Sequence, residues 1–352
     1  MKIRFLQLFL VLALSTGLAF ADSEIRGAGS TAAASIYKTW ATEYQKVSGV
    51  SLVYEPVGSS AGVKRIAAGD VNFGASDVAP PESELARLGL VVFPIAITGI
   101  APVVNLPGIQ AGHLKLTGTV LARIFSGEIN RWSDGAIARL NPALRLPNLA
   151  INVVVRADGS GTTYNFTDYL SKTDAQWRAN WGTKSSLAWP DAFTAVNGSM
   201  AVVNAVRQTP GAIGYVEFGY AKEGKLATVS LQNAQGEFVM AGVNAFNAAL
   251  VNSEWMRTGR FSTTLTNQGG TGTWPLTMGT FALLPQISNT PDKTLKTLKF
   301  FVWSFINGDK LVNLSSFVRL PDPMQAKAFR VISAVRSKDG AAIGAQSIDG
   351  GQ

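Results

Sequence analysis

Three glycine-serine turns are the residues of this sequence best suited to holding a ligand. They read Gly27-Ala-Gly-Ser-Thr31, Gly58-Ser-Ser-Ala-Gly62 and Asp158-Gly-Ser-Gly-Thr162. Each turn precedes a segment with helical periodicity, so each offers unpaired backbone N–H groups, glycine for close approach, and hydroxyls that can donate hydrogen bonds. One such turn alone would be explained by helix capping, because serine and threonine are favoured N-caps. Three that converge would bind an oxyanion largely through neutral dipoles.

Arg156 lies beside the third turn, directly after the apolar segment 150–155, which is predicted to be a strand. Ligands of α/β proteins bind at the carboxyl ends of strands, and a guanidinium is suited to bidentate contacts with a tetrahedral oxyanion. Asp158 follows two residues later and either holds this guanidinium in place or only forms the turn. The residue types favour an anion site at the end of this strand.

Asp77 closes the segment Phe73-Gly-Ala-Ser-Asp77, which is also predicted to follow a strand. It either caps the helix that begins near Glu82 or belongs to the anion site. A carboxylate repels an anion unless the ligand brings a proton, which phosphate does at neutral pH and sulfate does not. In the site, Asp77 would accept a hydrogen bond from phosphate and reject sulfate, by analogy with sites that discriminate by about 10⁴-fold or more through one hydroxyl.

The elements that must position these residues alternate between helical and extended patterns. The segments 33–47 and 293–305 have the periodicity of amphipathic helices. The apolar, β-branched segments 90–97 and 100–106 are predicted to be two buried strands of a parallel sheet. This alternation predicts a doubly wound α/β fold. The pattern ends at Gly340, and residues 340–352 are predicted to form a frayed tail.

The first 21 residues are predicted to be a signal peptide. Lys2 and Arg4 precede the apolar run 5–14, and Ala19-Phe-Ala21 fits a cleavage site. About ten apolar residues are too few to span a bilayer. We therefore expect export, with cleavage after Ala21.

Composition excludes several classes of site. The 352 residues include no Cys and only one His, His113. Disulfides, cysteine-ligated zinc, thiol catalysis, a lipid-bearing cysteine and a histidine-rich metal site are thereby excluded, and a Ser-His-Asp triad is disfavoured. The formal net charge of +8 comes without three consecutive basic residues, so nucleic-acid binding is not supported. We expect no cofactor and no metal.

The sequence resembles the periplasmic phosphate-binding proteins of bacterial phosphate ABC transporters. The matching segments run in order across nearly the whole chain after residue 21. They are the three turns, the second extended to Lys64 and the third beginning at Arg156, together with Phe73-Gly-Ala-Ser-Asp77, Gly127-Glu-Ile-Asn-Arg-Trp132, Pro210-Gly-Ala-Ile-Gly-Tyr-Val-Glu217 and Trp274-Pro275.

The resemblance implies a two-lobed, venus-flytrap fold in which each lobe is a mixed, mainly parallel sheet flanked by helices. After the signal peptide 1–21, residues 22–97 and 278–352 would form one lobe and residues 98–277 the other. Asp158 would pair with the binding arginine. The phosphate would be held by Thr31, the backbone N–H of Ala32, Ser59, Asp77, Arg156, Ser160, Gly161 and Thr162.

Three residues depart from the pattern of that family. Ala32 stands where a phenylalanine is common, Ser30 replaces a frequent alanine, and Val155 replaces an arginine beside the binding one. Binding should survive the first change, since the contact at Ala32 is made by the backbone. Val155 would alter the charge of the outer cleft without removing a phosphate contact.

The resemblance further implies a monomeric receptor that does no chemistry. It would close on phosphate by hinge motion and deliver the ion to an inner-membrane ABC permease. Without a lipobox cysteine it would be free in the periplasm. One alternative is a receptor for arsenate, another protonated tetrahedral oxyanion, whereas Asp77 argues against sulfate. A phosphatase-like enzyme on the same fold is a second alternative, and an adhesion or sensory role has no positive support.

Overall fold

The computed structural model describes residues 24–349. The predicted signal peptide therefore lies outside the described residues. Between residues 24 and 349, no helix is long and apolar enough to cross a membrane.

The strands of the described chain form one large sheet and two small ones. The large sheet has nine strands in the order β2-β1-β3-β12-β4-β8-β6-β7, with β9 paired to β4; the small sheets are β11-β10-β5 and β13-β14. The strand bounds are β1 Glu24–Gly29, β2 Ser51–Glu55, β3 Phe73–Ser76, β4 Leu90–Val104, β5 Lys115–Leu116, β6 Asn152–Arg156, β7 Thr194–Val196, β8 Ala212–Glu217, β9 Ala227–Thr228, β10 Ser230–Gln232, β11 Phe238–Val239, β12 Thr277–Pro285, β13 Ile287–Ser288 and β14 Arg336–Ser337.

The helices predicted at 33–47 and 293–305 are confirmed as α1 and α12. The helix bounds are α1 Ala34–Ser48, α2 Ser59–Ala68, α3 Glu82–Leu88, α4 Gly118–Phe125, α5 Gly135–Leu140, α6 Gly161–Thr173, α7 Ala175–Asn180, α8 Ser199–Gln208, α9 Phe218–Glu223, α10 Val243–Val251, α11 Glu254–Thr258, α12 Pro291–Ile306, α13 Asp309–Leu314, α14 Asp322–Ser333 and α15 Ile343–Asp349.

The large sheet has two parallel parts separated by antiparallel strands. Strands β1, β2 and β3 pair in parallel and are called the first sheet half. Strands β6, β7 and β8 also pair in parallel and are called the second sheet half. Between them, β12 runs antiparallel to both β3 and β4, and β4 runs antiparallel to β8. The predicted two-lobed α/β fold with mixed sheets is confirmed.

The prediction of two parallel strands at 90–97 and 100–106 is wrong. The structure has one 15-residue strand, β4, with antiparallel neighbours. This strand pairs with β12 through Gly99 and with β8 from Ile100 onward, so it belongs to both parts of the sheet. The lobe limits at 97 and 278 stay a prediction, because strand pairing alone does not define which parts move together.

Pro94 and Gly99 are accommodated within β4 by residues of neighbouring elements. Pro94 lacks an N–H, and it pairs with Phe281 where the register of β12 shifts between Thr280 and Phe281. The missing donor thus falls where the ladder is already irregular. Gly99 leaves room for a ring, since a Cβ there would lie 2.1 Å from an atom of Phe246.

The prediction of a frayed tail at 340–352 is also wrong for the described part. Residues 343–349 form α15, in which Ile343 and Ser347 are buried. Gly344 brings this helix against α14, because a Cβ there would lie only 1.9 Å from the carbonyl oxygen of Ile332. Glycine therefore permits close packing here and is not a sign of a frayed tail.

An aromatic core supports the first glycine-serine turn. Tyr37 on α1 stacks on Tyr54 of β2 with ring centroids 4.5 Å apart, and Phe73 of β3 lies 5.0 Å from Tyr37. The hydroxyl of Tyr54 donates to the carbonyl oxygen of Ser30 at 2.7 Å. The turn is thereby tied to a rigid apolar layer.

Candidate functional site

The three glycine-serine turns lie side by side at the carboxyl ends of strands. The first follows β1 and leads into α1, the second leads into α2, and the third follows β6 and leads into α6. Gly58 N–H donates to the carbonyl oxygen of Gly29 at 2.8 Å. Ser60 N–H donates to the carbonyl oxygen of Gly159 at 3.1 Å. Helix N-termini from both sheet halves therefore meet at one place, which favours negative charge there.

Glycine is required where the two sheet halves touch. A Cβ at Gly161 would lie 2.6 Å from Ser59 Oγ and 2.8 Å from Asp77 Cβ. A Cβ at Gly159 would lie 2.5 Å from Ser60 Oγ. Any larger residue would push the turns apart, so these positions permit the direct contact between the halves.

Arg156 is buried at the end of β6 and held from several sides. Its Nε donates to Asp158 Oδ1 at 2.6 Å, and its Nη2 donates to Asp158 Oδ2. The N–H of Gly198 donates to Asp158 Oδ1 at 3.0 Å, and Trp189 Nε1 donates to the Arg156 carbonyl oxygen at 3.2 Å. Burial raises the pKa of Asp158, but the hydrogen bonds and charge of Arg156 outweigh that effect, and the pKa is lowered. Asp158 is thus an ionised anchor for the guanidinium.

Asp77 is buried at the end of β3, with 3% of its surface exposed. Ser30 Oγ donates to its Oδ1 at 2.6 Å, and Asn165 Nδ2 donates to its carbonyl oxygen at 2.9 Å. Burial raises the pKa of Asp77 to about 6, although nearby hydroxyls and the Arg156 charge act in the opposite direction. A carboxyl with this pKa is largely ionised at neutral pH. It can therefore accept a hydrogen bond from a ligand that carries a proton.

Two hydroxyls near Asp77 remain unsatisfied. Thr162 on α6 and Thr280 on β12 lie close enough to lower the pKa of Asp77. Neither hydroxyl makes a hydrogen bond of acceptable geometry within the described chain, and both are buried. A buried hydroxyl without a partner costs about 1–3 kcal/mol. A ligand with acceptor oxygens would satisfy them.

The other predicted residues lie in the same place. Thr31 Oγ1 accepts from Arg156 Nη1 at 3.2 Å. Ser59 Oγ accepts from the N–H of Asp77 at 3.2 Å, and Ser160 Oγ caps α6 by accepting from the N–H of Thr163 at 3.2 Å. Ala32 is fully buried two residues before α1. The structure therefore brings together all eight predicted ligand residues and Asp158.

The arrangement offers several kinds of group that can bind an anion. No group of three or more His, Cys, Asp or Glu that could hold a metal ion occurs in residues 24–349. His113 lies exposed in a turn, outside the glycine-serine turns. The site thus combines a cation, an acceptor carboxylate, hydroxyls and helix N-termini.

The chain is similar to known proteins over most of its length. Residues 15–284 match the PBP superfamily domain. The phosphate-binding protein PstS of Xylella fastidiosa (strain Temecula1) is 41% identical over 298 residues, which cover 85% of this chain and 82% of that protein. This chain belongs to the PstS family of phosphate-binding proteins.

A second PstS protein and a solved structure extend the comparison. The phosphate-binding protein PstS of Haemophilus influenzae is 42% identical over 315 residues, covering 89% of this chain and 93% of that protein. The crystal structure of a putative phosphate ABC transporter substrate-binding protein from Clostridium perfringens, with bound phosphate, is 20% identical with a TM-score of 0.60. That match covers 85% of this chain and 100% of the other, and at this identity it supports the fold alone.

A fourth turn of this PstS-family chain, which was not predicted from the sequence, lies beside the other three. Asn197-Gly198-Ser199 leads into α8, with Gly198 at a φ of 82° and Ser199 buried. Ser199 Oγ lies 2.8 Å from Thr31 Oγ1. The signal was present, because a Gly-Ser pair before a helix is the same pattern that identified the other three turns.

Two further residues of the chain were also missed. Tyr220 on α9 donates from its hydroxyl to the carbonyl oxygen of Thr31 at 2.8 Å and so ties the halves together. Glu217 is fully buried where β8 meets α9 and accepts from Thr98 Oγ1 at 2.6 Å. Burial raises the pKa of Glu217 to about 7. Neither residue has a local sequence pattern that would reveal its partner.

Proposed function

We propose that this protein is a periplasmic receptor that binds inorganic phosphate between its lobes, performs no reaction, and delivers the ion to an ABC permease. The observation that carries the proposal is the placement of Asp77 and Arg156, one from each sheet half, among the N-termini of α1, α2 and α6. A site with only a cation could bind any oxyanion. A site that also has a carboxylate favours an oxyanion that still carries a proton.

The recognition follows from hydrogen-bond chemistry. Hydrogen phosphate donates a hydrogen bond to Asp77 through its O–H group. Its remaining oxygens accept hydrogen bonds from Arg156 and from the hydroxyls of the turns. The contacts we propose are those of Thr31, Ala32 N–H, Ser59, Ser160, Gly161 N–H and Thr162. Sulfate carries no proton at neutral pH, so its oxygen and the Asp77 carboxylate would face each other as two unpaired acceptors.

Closure is proposed to occur by rotation of residues 22–97 plus 278–352 against residues 98–277. The pairing of β4 supports this, because the strand changes partner from β12 to β8 between Gly99 and Ile100. A few strand residues at such a point can absorb the change in backbone angles. The contacts between the turns would then be made on closing and broken on opening.

Export and delivery complete the proposal. The segment 1–21 is proposed to be a signal peptide that is cleaved after Ala21. The remaining chain is proposed to be a monomer that is free in the periplasm. The names of the Xylella and Haemophilus relatives support phosphate as the ligand. A permease partner is proposed by analogy with the Clostridium protein, which is described as a putative phosphate ABC transporter substrate-binding protein.

Calorimetric titration of the exported protein tests the proposal. The protein is first freed of bound anion by reversible unfolding and then titrated with phosphate, sulfate and arsenate separately. We expect one phosphate per chain and no response to sulfate. Tight binding of arsenate without binding of phosphate would mean that the ligand is arsenate and not phosphate.

Phosphatase activity is tested with a phosphomonoester substrate. Activity that disappears in both Ser59→Ala and Asp77→Asn would show an enzyme and contradict a pure receptor. Activity unaffected by these changes would come from a contaminant.

A further inference from the structure

Ser199 is the least expected of the side chains in the site. It begins α8, is 1% exposed, and lies on the second sheet-half side of the contact with Thr31. Its Oγ lies 2.8 Å from Thr31 Oγ1 and 3.5 Å from Arg156 Nη1. Three polar groups, two from turns and one from the end of β6, therefore form a triangle.

Hydrogen-bond accounting limits how this triangle can be arranged. A hydroxyl has one proton to donate and two lone pairs that accept. Arg156 Nη1 already donates to Thr31 Oγ1 at 3.2 Å. If Ser199 donates to the same oxygen, both lone pairs of Thr31 are used, and the Thr31 proton must turn to another acceptor. If Thr31 donates to Ser199 instead, that proton is no longer available to a ligand.

We propose that Ser199 is a positioning residue that donates to Thr31 Oγ1 and thereby directs the Thr31 proton at the bound phosphate. The inference rests on the proposed function, since it needs an anion beside Thr31. It adds to that function a residue outside the predicted set of ligands.

The contact has a second consequence for ligand release. Thr31 follows β1, and Ser199 follows β7, so their hydrogen bond joins the two sheet halves. A bond that exists only when the halves are together slows dissociation more than association. Loss of one hydrogen bond of this kind should lower affinity by about five- to tenfold, with most of the change in the dissociation rate.

The test compares Ser199→Ala, Thr31→Val and the double variant by phosphate titration and by stopped-flow dissociation. Ser199→Ala alone should release phosphate about five- to tenfold faster than the unchanged protein. In the Thr31→Val background the same change should have almost no further effect, because the oxygen that receives the Ser199 proton is gone. Ser253→Ala is the matched control, since Ser253 is also 1% exposed and begins a helix, but donates to Leu250.

Each other outcome overturns the inference. An unchanged dissociation rate in Ser199→Ala would show that Ser199 does not act on Thr31. Equal losses in both backgrounds would show that Ser199 contacts phosphate itself or only supports the fold. If the unchanged protein binds phosphate and Ser199→Ala binds it equally, the proposed function survives without this inference. Failure of the unchanged protein to bind phosphate would remove both.

Discussion

The two sheet halves contribute opposite kinds of charged group to the site. The second half contributes Arg156, whose charge is already matched by Asp158. The first half contributes Asp77, which belongs to no ion pair described in residues 24–349 and receives a hydrogen bond from Ser30 instead. Burial raises the pKa of Asp77 to about 6, whereas the pKa of Asp158 is lowered by its bonds to Arg156.

This difference separates binding strength from selectivity. The anchored guanidinium can donate hydrogen bonds to any oxyanion, and Asp158 balances its charge. The unpaired carboxylate repels every anion that brings no proton. In the proposed site the second sheet half would therefore supply affinity, and the first would decide which anion is accepted.

Removing the cation should have the largest effect. Arg156→Ala deletes the charged donor and leaves Asp158 without its partner, so phosphate affinity should fall by about 10³-fold or more. Calorimetric titration measures the loss. Arg257→Ala is the control, because Arg257 forms an exposed pair with Glu254 and should leave binding unchanged. A loss of less than about tenfold would place the anion away from Arg156.

Changing the carboxylate should alter selectivity. In Asp77→Asn the hydroxyl of Ser30 can still donate to Oδ1. The amide nitrogen then replaces Oδ2, and it donates hydrogen bonds but cannot accept one from phosphate. Phosphate affinity should fall by about 10²-fold, while sulfate binding becomes measurable. Titration with both ions on one preparation gives the ratio. Continued rejection of sulfate by this variant would mean that Asp77 does not select the ligand.

Without ligand, Asp77→Asn should be more stable than the unchanged protein. The pKa of Asp77 is raised to about 6, above the value of about 3.9 in an unfolded chain. The folded state then binds this proton more tightly, so stability falls as the pH rises from about 4 to 6 and stays lower above it. Asp77→Asn removes this loss and should raise the free energy of unfolding at pH 8 by about 1–3 kcal/mol.

Glu217→Gln is the matched comparison for that measurement. The pKa of Glu217 is also raised by burial, to about 7, so this variant should likewise gain stability at pH 8. It should keep phosphate selectivity, because Glu217 contacts Thr98 and none of the turns. Denaturant unfolding of both variants at pH 5 and pH 8 checks the direction. If either variant is less stable than the unchanged protein at pH 8, the folded state favours the ionised form of the carboxyl group that the variant lacks.

Ser30→Ala should have the smallest effect. Ser30 favours the ionised form of Asp77 by donating to Oδ1 at 2.6 Å, so its loss should raise the pKa of Asp77 further. Phosphate affinity should fall by about threefold at pH 8 and by more at pH 6, where more of the carboxyl is protonated. Titrations across this pH range test the shift. A pH profile identical to that of the unchanged protein would show that Ser30 does not act on Asp77.

The local parts of the structure were predictable from the sequence. Glycine-serine turns before helices, and the placement of Arg156 and Asp77 after strands, depend on neighbouring residues only. The course of β4 was not predictable in this way, since Pro94 and Gly99 are tolerated only because of Phe281 and Phe246 across the fold.

The partners of the site were less predictable than its members. Ser199 had a recognisable turn pattern, but its contact with Thr31 joins residues 168 positions apart. The burial that raises the pKa of Asp77 likewise depends on the meeting of the two sheet halves. Pairings of this kind follow from the tertiary fold and leave no local signal in the sequence.

A crystal structure of the protein grown with phosphate tests the account most directly. We expect one phosphate among the four turns, with one oxygen about 2.5–2.7 Å from the Asp77 carboxylate and others in contact with the Arg156 guanidinium. A phosphate bound at another place, or one in this cleft whose oxygens avoid Asp77, would contradict the account.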